Sequence, residues 1–334
     1  MNIAVVGAGA VGSLVGGLLA RAGENVLLIG RKAHVDAINA NGLLIDGVLG
    51  TLHVKVKAQE RLDFTPDVVL LAVKTQSVAE TAREIQPYVA GVAVVTMQNG
   101  VRCDDMVADA LGRKDILSCV VMLGVTYLEP GRITYARQGA LMLGVPFSPV
   151  DDRARRIAGM LDKAIPTALT SNIKGARWAK VIVNENNALP AITGLSINEI
   201  NRRPELRRLA TLLMKEAAAT IKAADITLAS LPQLSATMLR LILSMPTPIA
   251  GLLPRMMARS MGTTPVLGST LQSIKRGEKT EIDYLNGEVV ALGKSINKAT
   301  PYNDVVVQLV HRVEATGTFM TEEQVMAAVK QSPV

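Results

Sequence analysis

The sequence predicts an α/β fold: an N-terminal doubly wound parallel sheet over residues 1–170, followed by an all-α domain over residues 171–334. Three observations carry this. From the start to about residue 145, short β-branched runs alternate with helix-like stretches: IAVV at 3–6, NVLLI at 25–29, DVVLLAV at 67–73, GVAVVTM at 91–97 and ILSCVVM at 116–122. Continuous apolar runs rich in Val and Ile, bounded by Gly, Pro or Asp, suit strands covered by helices on both faces. After residue 145 the strand signals nearly vanish, leaving a helix over 151–163, a short segment near Thr167 and then helical periodicity to the end. Thr170, Ser171 and Asn172 form a polar joint, and the boundary is placed there. A length of 334 residues agrees with two domains at roughly 150 residues each.

Composition excludes several classes of function. With 49% hydrophobic and 19% charged residues the chain must build a packed interior, and with 3% aromatics it has few platforms on which bases could stack. The net charge of +7 is spread in pairs such as Arg202/Arg203 and Arg207/Arg208, which favours a small anionic partner over nucleic acid. Cys103 and Cys119 are too few for a disulfide framework and form no CxxC spacing, so a reducing, cytoplasmic compartment is expected. The opening MNIAVVGAGA lacks the basic start and cleavage site of a signal peptide. His34, His53 and His311 are scattered without ligand spacing, so no metal site is expected. The stretch Ile226–Pro254 carries one charge, Arg240, but Pro232, Pro246, Pro248 and Pro254 cut it into pieces shorter than the ~20 apolar residues a membrane span needs. A buried helix or a contact surface with a second subunit, as in a homodimer through the helical domain, is the better reading.

The first strand runs into Gly7-Ala8-Gly9-Ala10-Val11-Gly12 and then into the helical pattern SLVGGLLARAG. In a Rossmann-type unit this loop binds a dinucleotide: Gly7 makes the turn, Gly9 lets the backbone approach the pyrophosphate, Gly12 permits helix packing, and the free amides of the helix start face the phosphates. The other reading is a tight glycine turn without a ligand. The second strand ends in Gly30-Arg31-Lys32, with no carboxylate to hold a ribose 2′-hydroxyl. Two cations suit a 2′-phosphate, so NADP(H) is expected over NAD(H), with Arg31 pairing or stacking and Lys32 adding charge. The alternative for Arg31 is a solvated surface residue.

In open parallel sheets ligands lie beyond the carboxyl ends of the strands. Lys74 follows DVVLLAV there, and Gln98-Asn99-Gly100 follows GVAVVTM, so Lys74 and Asn99 should project toward the nicotinamide; a solvated loop start and an Asn-Gly turn are the plain alternatives. In the second half, Lys180 and Asn184 lie four apart on the helix ARWAKVIVNENN and share a face. Apolar neighbours suggest burial, which lowers an ammonium pKa and makes Lys180 a better proton donor near neutrality; a snorkelling surface lysine is the alternative. The run KTEIDYLNG at 279–287 reads as a helix start with Thr280 and Asp283 as a capping box and Glu281 in the first turn, where an acid often only complements the helix dipole. Ser269 lies twelve residues before Glu281, ~18 Å along an unbroken helix, so both reach one ligand only if the chain bends, with Gly277 the place for it.

Taken together, GAGAVG at 7–12, AVK ending in Lys74, QNG containing Asn99, the WxK helix with Lys180 and Asn184, SIN with Asn198, and STLQ followed by TEIDYLNG at 269–287 resemble the ketopantoate reductase (2-dehydropantoate 2-reductase) family over nearly the whole chain. The resemblance implies NADPH-dependent reduction of a 2-oxo acid to a 2-hydroxy acid, in the family's case ketopantoate to pantoate on the way to coenzyme A. It implies Lys180 as general acid, Glu281 as the carboxylate beside it, Asn184, Asn198 and Ser269 as substrate contacts, and Lys74 and Asn99 near the nicotinamide. Hydride addition to a ketone leaves negative charge on oxygen, which a positioned ammonium stabilises and then protonates.

Two departures stand out. Eight residues after the lysine, where the family commonly has a second asparagine, this chain has Ala188, although Asn186 and Asn187 stand nearby. The Met-rich, proline-broken segment 232–262 is also longer and more apolar than the family's usual one, and reads as a pocket lining, a dimer contact or a core helix pair. Alternatives to a ketopantoate reductase are an opine- or hydroxyacid-type dehydrogenase of another substrate and a non-catalytic NADP(H)-binding sensor.

Overall fold

The computed structural model describes residues 1–232, 234–260 and 267–331. The chain divides into two compact units, Met1–Ala176 and Arg177–Val334. The strands all lie in the first unit: β1 (Asn2–Val6), β2 (Asn25–Ile29), β3 (Leu43–Gly47), β4 (Leu52–Val54), β5 (Lys57–Gln59), β6 (Val68–Leu71), β7 (Ala93–Thr96), β8 (Leu117–Glu129), β9 (Arg132–Gly144) and β10 (Thr167–Leu169). They join one sheet in the order β4-β3-β9-β8-β7-β6-β1-β2-β5, with β10 added to β9. The five apolar runs become β1, β2, β6, β7 and β8, and these pair in parallel across the middle of the sheet.

Strand periodicity explains the double winding. Successive side chains of β1 leave opposite faces, so Ile3 and Val5 enter one core while Ala4 and Val6 enter another. Leu14 and Leu18 from helix Ala10–Arg21 and Ile157 and Leu161 from helix Asp152–Asp162 fill the first. Val78, Ala82 and Ile85 from helix Val78–Ile85, with Val107 and Leu111 from helix Cys103–Leu111, fill the second. A sheet covered on both faces buries every position of its central strands, as β6 and β7 show; β6 is apolar throughout, and the one polar residue of β7, Thr96, donates its hydroxyl to Asp104 Oδ1.

The sheet is mixed rather than purely parallel. β8 and β9 are 13-residue strands paired antiparallel around Pro130-Gly131, a turn dipeptide whose glycine takes φ +80°. Only the apolar first half of β8 was legible as a strand. Its second half and β9 are half-polar because one face there is less deeply covered, and the short β3, β4 and β5 carry too few residues for a periodic signal.

One buried polar contact ties this region together. The Gly131 N–H donates to His34 Nδ1 at 2.9 Å, which leaves Nε2 of the neutral ring to donate to Ser13 Oγ at 2.9 Å. Burial holds the His34 pKa below its ordinary value. This histidine joins the first helix to the β8–β9 turn, and its role is structural.

The second unit is helical. Helix Pro204–Ala223, started by proline at its first turn, buries Leu206, Leu209, Ala210 and Leu213 against Val306, Val310 and Val313 of helix Pro301–Thr316. The apolar segment forms helices Ala236–Ser244, Thr247–Ala250 and Leu252–Ser260; the first break falls at Pro246 as the sequence suggests, whereas the second falls at Gly251, and Pro248 and Pro254 lie within the first turns of their helices; residues 233, 261 and 262 of the segment lie outside the described residues. Leu239, Leu243, Ala250 and Leu253 are buried, whereas Met238, Leu241, Ile249, Leu252 and Met256 are exposed. Among the described residues no helix is long and apolar enough to cross a membrane.

Replacing His34 with Leu keeps the volume but strands the Gly131 N–H and the Ser13 hydroxyl in the interior. Each such group costs about 1–3 kcal/mol, so His34→Leu should lower the unfolding free energy by roughly 2–4 kcal/mol in denaturant titrations; a loss below about 0.5 kcal/mol would contradict the assignment.

Candidate active site

In the first unit every polar position singled out in the sequence follows the carboxyl end of a parallel strand. After β1 the Gly7 and Ala8 N–H groups both donate to Ile29 O, at 3.0 and 2.7 Å, so the loop folds back against the end of β2. Gly7 has φ +104° and its place for a Cβ is filled by the backbone of Ala72 and Val73. A side chain at Gly12 would overlap Gly7 O and press on Val5. Gly9 differs: its φ is ordinary, at −84°, and a Cβ there would meet nothing within 4 Å. Packing therefore demands glycine at 7 and 12, whereas at 9 the backbone faces open space at the start of helix Ala10–Arg21. That is the arrangement by which unpaired amides meet a pyrophosphate. No acidic residue occupies that helix's first turn to compete with an anion.

Arg31 caps helix Lys32–Asn41 and is exposed. Lys32 pairs with Asp36 at 2.9 Å on the same helix, and that carboxylate raises its pKa; the pair neutralises part of the charge the sequence offered at this corner. Beyond β6, Lys74 caps a 3-10 turn over Thr75–Ser77 and is half-buried. Beyond β7, the Gln98 side chain donates to Leu71 O at 2.7 Å and to Val73 O at 3.2 Å, while Thr75 Oγ1 donates to Asn99 O at 3.0 Å. These bonds stitch the Lys74 and Asn99 loops together. Gly100 has φ +81°, so Asn99-Gly100 is a turn whose backbone is held by this stitching. A cavity of about 670 Å³ near Asn25, Val26 and Lys57 lies at the amino ends of the strands, away from these loops.

In the second unit, helix Ile173–Asn184 carries Lys180 and ends on Asn184, and both side chains are half-buried. The chain then tightens into a 3-10 turn over Glu185–Asn187 before helix Ala188–Thr193. The lysine face therefore does not continue to residue 188: Ala188 points into the core and is fully buried. The asparagine that comes nearest is Asn187, whose Oδ1 occupies the place a Cβ at Gly268 would need, directly before Ser269. Ser269 is the exposed first residue of helix Ser269–Lys275. Asn198 is buried on helix Ile197–Arg202, which Ser196 and Glu199 start with a reciprocal capping box.

The Glu281 segment departs from the expectation of a helix start. Thr280 and Asp283 form no capping box, because Thr280 Oγ1 accepts from the Ile282 N–H at 3.2 Å and Asp283 turns toward His311. Glu281 caps a 3-10 turn over Ile282–Tyr284 and is half-buried, and the α-helix begins only at Asn286. The chain does reverse at Gly277, which has φ +66°. Two anchors flank Glu281. The Thr280 N–H donates to Glu314 Oε1 at 2.7 Å, and His311 bridges Glu314 Oε2 at 2.8 Å and Asp283 Oδ1 at 2.9 Å. Burial works against a charged His311, but the two carboxylates prevail and raise its pKa.

A buried polar chain absent from the sequence reading links these pieces. Asn286 Nδ2 donates to Glu185 Oε2 at 2.5 Å and to Asn303 Oδ1 at 3.0 Å, and Asn303 Nδ2 donates to Glu216 Oε2 at 2.8 Å. Glu185 immediately follows Asn184, and Asn286 follows the Glu281 turn, so the network fastens the segment bearing Lys180 and Asn184 to the segment bearing Glu281. Desolvation, followed by repulsion from Glu216, pushes the Glu185 pKa well above its ordinary value, so the fold favours its neutral form. Burial likewise raises Glu216 against the opposing donors of Asn303 and Tyr302. The sequence signal was an acid inside the polar run Asn184-Glu185-Asn186-Asn187, easily taken for a surface position. Among the described residues no group of three or more His, Cys, Asp or Glu side chains is placed to hold a metal ion.

A folded-state pKa above the unfolded one means that the native protein holds a proton the unfolded chain releases. The Glu185 contribution is therefore intact at low pH and is lost as pH rises above about 4.5 toward the raised value. Glu185→Gln keeps an acceptor for Asn286 and cannot ionise. The variant's melting temperature relative to the parent should rise between pH 5 and pH 8, whatever constant offset the amide introduces; a difference that is flat or falls would contradict a neutral Glu185.

The comparisons with known proteins agree over nearly the full length. The sequence profile described as ketopantoate reductase PanE/ApbA matches residues 3–146, and that described as ketopantoate reductase PanE/ApbA C terminal matches residues 172–314. The 2-dehydropantoate 2-reductase of Pyrococcus abyssi is 32% identical over 318 residues, covering 94% of this chain and 98% of that protein. Among solved structures, a PanE/ApbA family ketopantoate reductase from Ralstonia eutropha JMP134 is similar with a TM-score of 0.79 at 32% identity, covering 94% of this chain and 99% of that one. A D-mandelate dehydrogenase solved with NADH and anilino(oxo)acetate has the same fold, with a TM-score of 0.80 at 24% identity over 95% of this chain and 99% of that one. The glycine loop, the lysine helix and the Glu281 turn thus sit in a chain that belongs to the ketopantoate reductase family, a family of oxidoreductases acting on the CH–OH group of a small hydroxy acid.

Proposed function

We propose that this protein reduces 2-dehydropantoate (ketopantoate) to pantoate with NADPH, residues 1–170 holding the dinucleotide and residues 171–334 handling the substrate. The observation that carries the reading is the internal tether of the second unit: Lys180 and Asn184 on one helix, fastened through Glu185 and Asn286 to the turn that carries Glu281. The residues present fit a dinucleotide, since the Gly9 backbone faces open space and the helix behind it has no acid in its first turn. When bound, the reduced nicotinamide supplies the hydride that reaches the carbonyl carbon.

The chain's own part is polar. Gly7, Ala8, Gly9, Ala10, Val11 and Gly12 hold the pyrophosphate, Arg31 with Lys32 takes the 2′-phosphate, and Lys74 and Asn99 flank the nicotinamide. Lys180 stabilises charge developing on the substrate oxygen and donates its Nζ proton to it. Glu281 holds that ammonium in place, and Asn184, Asn198 and Ser269 orient the acid. A second reading, another 2-oxo acid as substrate, is favoured by Ala188, which is buried and offers no polar contact where the family commonly has asparagine.

Lys180→Ala should lower turnover roughly 100-fold or more while the dissociation constant for NADPH changes little; unchanged turnover would remove the lysine from the mechanism. For the cofactor, Arg31→Asp should weaken NADPH about tenfold or more, the scale of one lost charge-assisted contact, with NADH weakened less. Equal losses would contradict the 2′-phosphate role. Following NADPH oxidation against a panel of 2-oxo acids tests the reaction itself: consumption with ketopantoate above all others is expected, and none across the panel would overturn the proposal.

A further inference from the structure

The helical unit contains a concavity of about 410 Å³ between helix Pro204–Ala223 and the helices Thr247–Ala250 and Leu252–Ser260, lined by none of the residues assigned above. That volume falls in the usual range for small-molecule sites. Arg207, Arg208 and Arg255 all line it, and no acidic residue does among the described ones. Arg207 is half-buried and its guanidinium is held in place, Nη1 donating to Asn201 O at 2.8 Å. Thr211, fully buried one turn on, donates its hydroxyl to Arg207 O at 2.8 Å.

The charge here is one-sided by sequence. From residue 226 to residue 277 the chain contains no Asp or Glu, yet it carries Arg240, Arg255, Arg259, Lys275 and Arg276. Among the described residues no carboxylate pairs with Arg207, Arg208 or Arg255. Three guanidinium groups around one hollow repel one another, and a ligand with two or more negative charges relieves that repulsion. Planar guanidinium forks match the oxygens of phosphate in pairs, and the positive end of the helix begun at Pro204 adds to the same field. The rest of the wall, Pro248, Gly251 and Leu252, is apolar and suits the uncharged part of such a ligand.

We propose that this concavity binds a small soluble molecule carrying a diphosphate or two separate phosphates, through residues other than those of the glycine loop. The proposal stands independently of the catalytic assignment. The test is calorimetric titration of inorganic pyrophosphate into the full-length protein with excess NADP⁺ present to fill the glycine loop. Binding should be seen with the parent protein and weakened about tenfold or more in Arg208→Glu and Arg255→Glu, the scale of one lost ionic contact. Both arginines are exposed, so the variants should keep the parent's circular dichroism and its basal turnover. No binding at millimolar pyrophosphate, or equal binding by parent and variants, would overturn the proposal. So would sedimentation with phosphatidic-acid vesicles in the absence of pyrophosphate binding, which would assign the cations and the neighbouring exposed Leu252 and Met256 to a lipid surface instead.

Discussion

The first unit depends on a steric constraint at the end of β1. Backbone of Ala72 and Val73, just past β6, fills the space beside Gly7, and Gly7 itself fills the space beside Gly12. The first helix can start where it does only because neither position bears a Cβ. One position of the same loop, Gly9, keeps open space where a side chain would stand, while its N–H turns back to donate to Gly7 O at 2.7 Å. The parallel register of β1 with β2 and β6, and of β6 with β7, then brings the loops carrying Arg31, Lys74 and Asn99 to the same edge of the sheet.

The second unit solves a different problem, holding two chain segments about a hundred residues apart in fixed relation. Ionic contacts at the surface would do this weakly, because exposed pairs contribute roughly 0–1 kcal/mol. The buried Glu185–Asn286–Asn303–Glu216 chain does it with hydrogen bonds shielded from water, where an unmade bond is costly. Outside that chain, His311 and Glu314 grip the Glu281 turn from the other side. The rigidity of Glu281 thus comes from its neighbours on both flanks rather than from a helical first turn.

Much of this was legible in the sequence, and the exceptions have physical reasons. The apolar runs, the glycine spacing and the polar positions after the strands are local signals, and local packing rules read them correctly as parallel strands and a tight glycine turn into a helix. The β8–β9 hairpin escaped because half of each strand is polar, and the short β3, β4 and β5 because three to five residues cannot establish a period. At Thr280–Asp283 a capping-box pattern was present, but His311 and Glu314, some thirty residues away, compete for the same groups and win. The Glu185 network was invisible for the same cause: its partners are distant in sequence, and an acid among asparagines carries no sign of what it will meet.

The packing that closes the space beside Gly7 and Gly12 leaves the Cβ place of Gly9 open, and the proposed dinucleotide would approach the loop there. Gly9→Ala isolates it, since the added methyl meets no protein atom and the backbone angle suits any residue. Measured on one preparation, the unfolding free energy should stay within about 1 kcal/mol of the parent, with little change in the midpoint, while the dissociation constant for the dinucleotide rises about tenfold or more. An unchanged dissociation constant with an unchanged midpoint would contradict the claim.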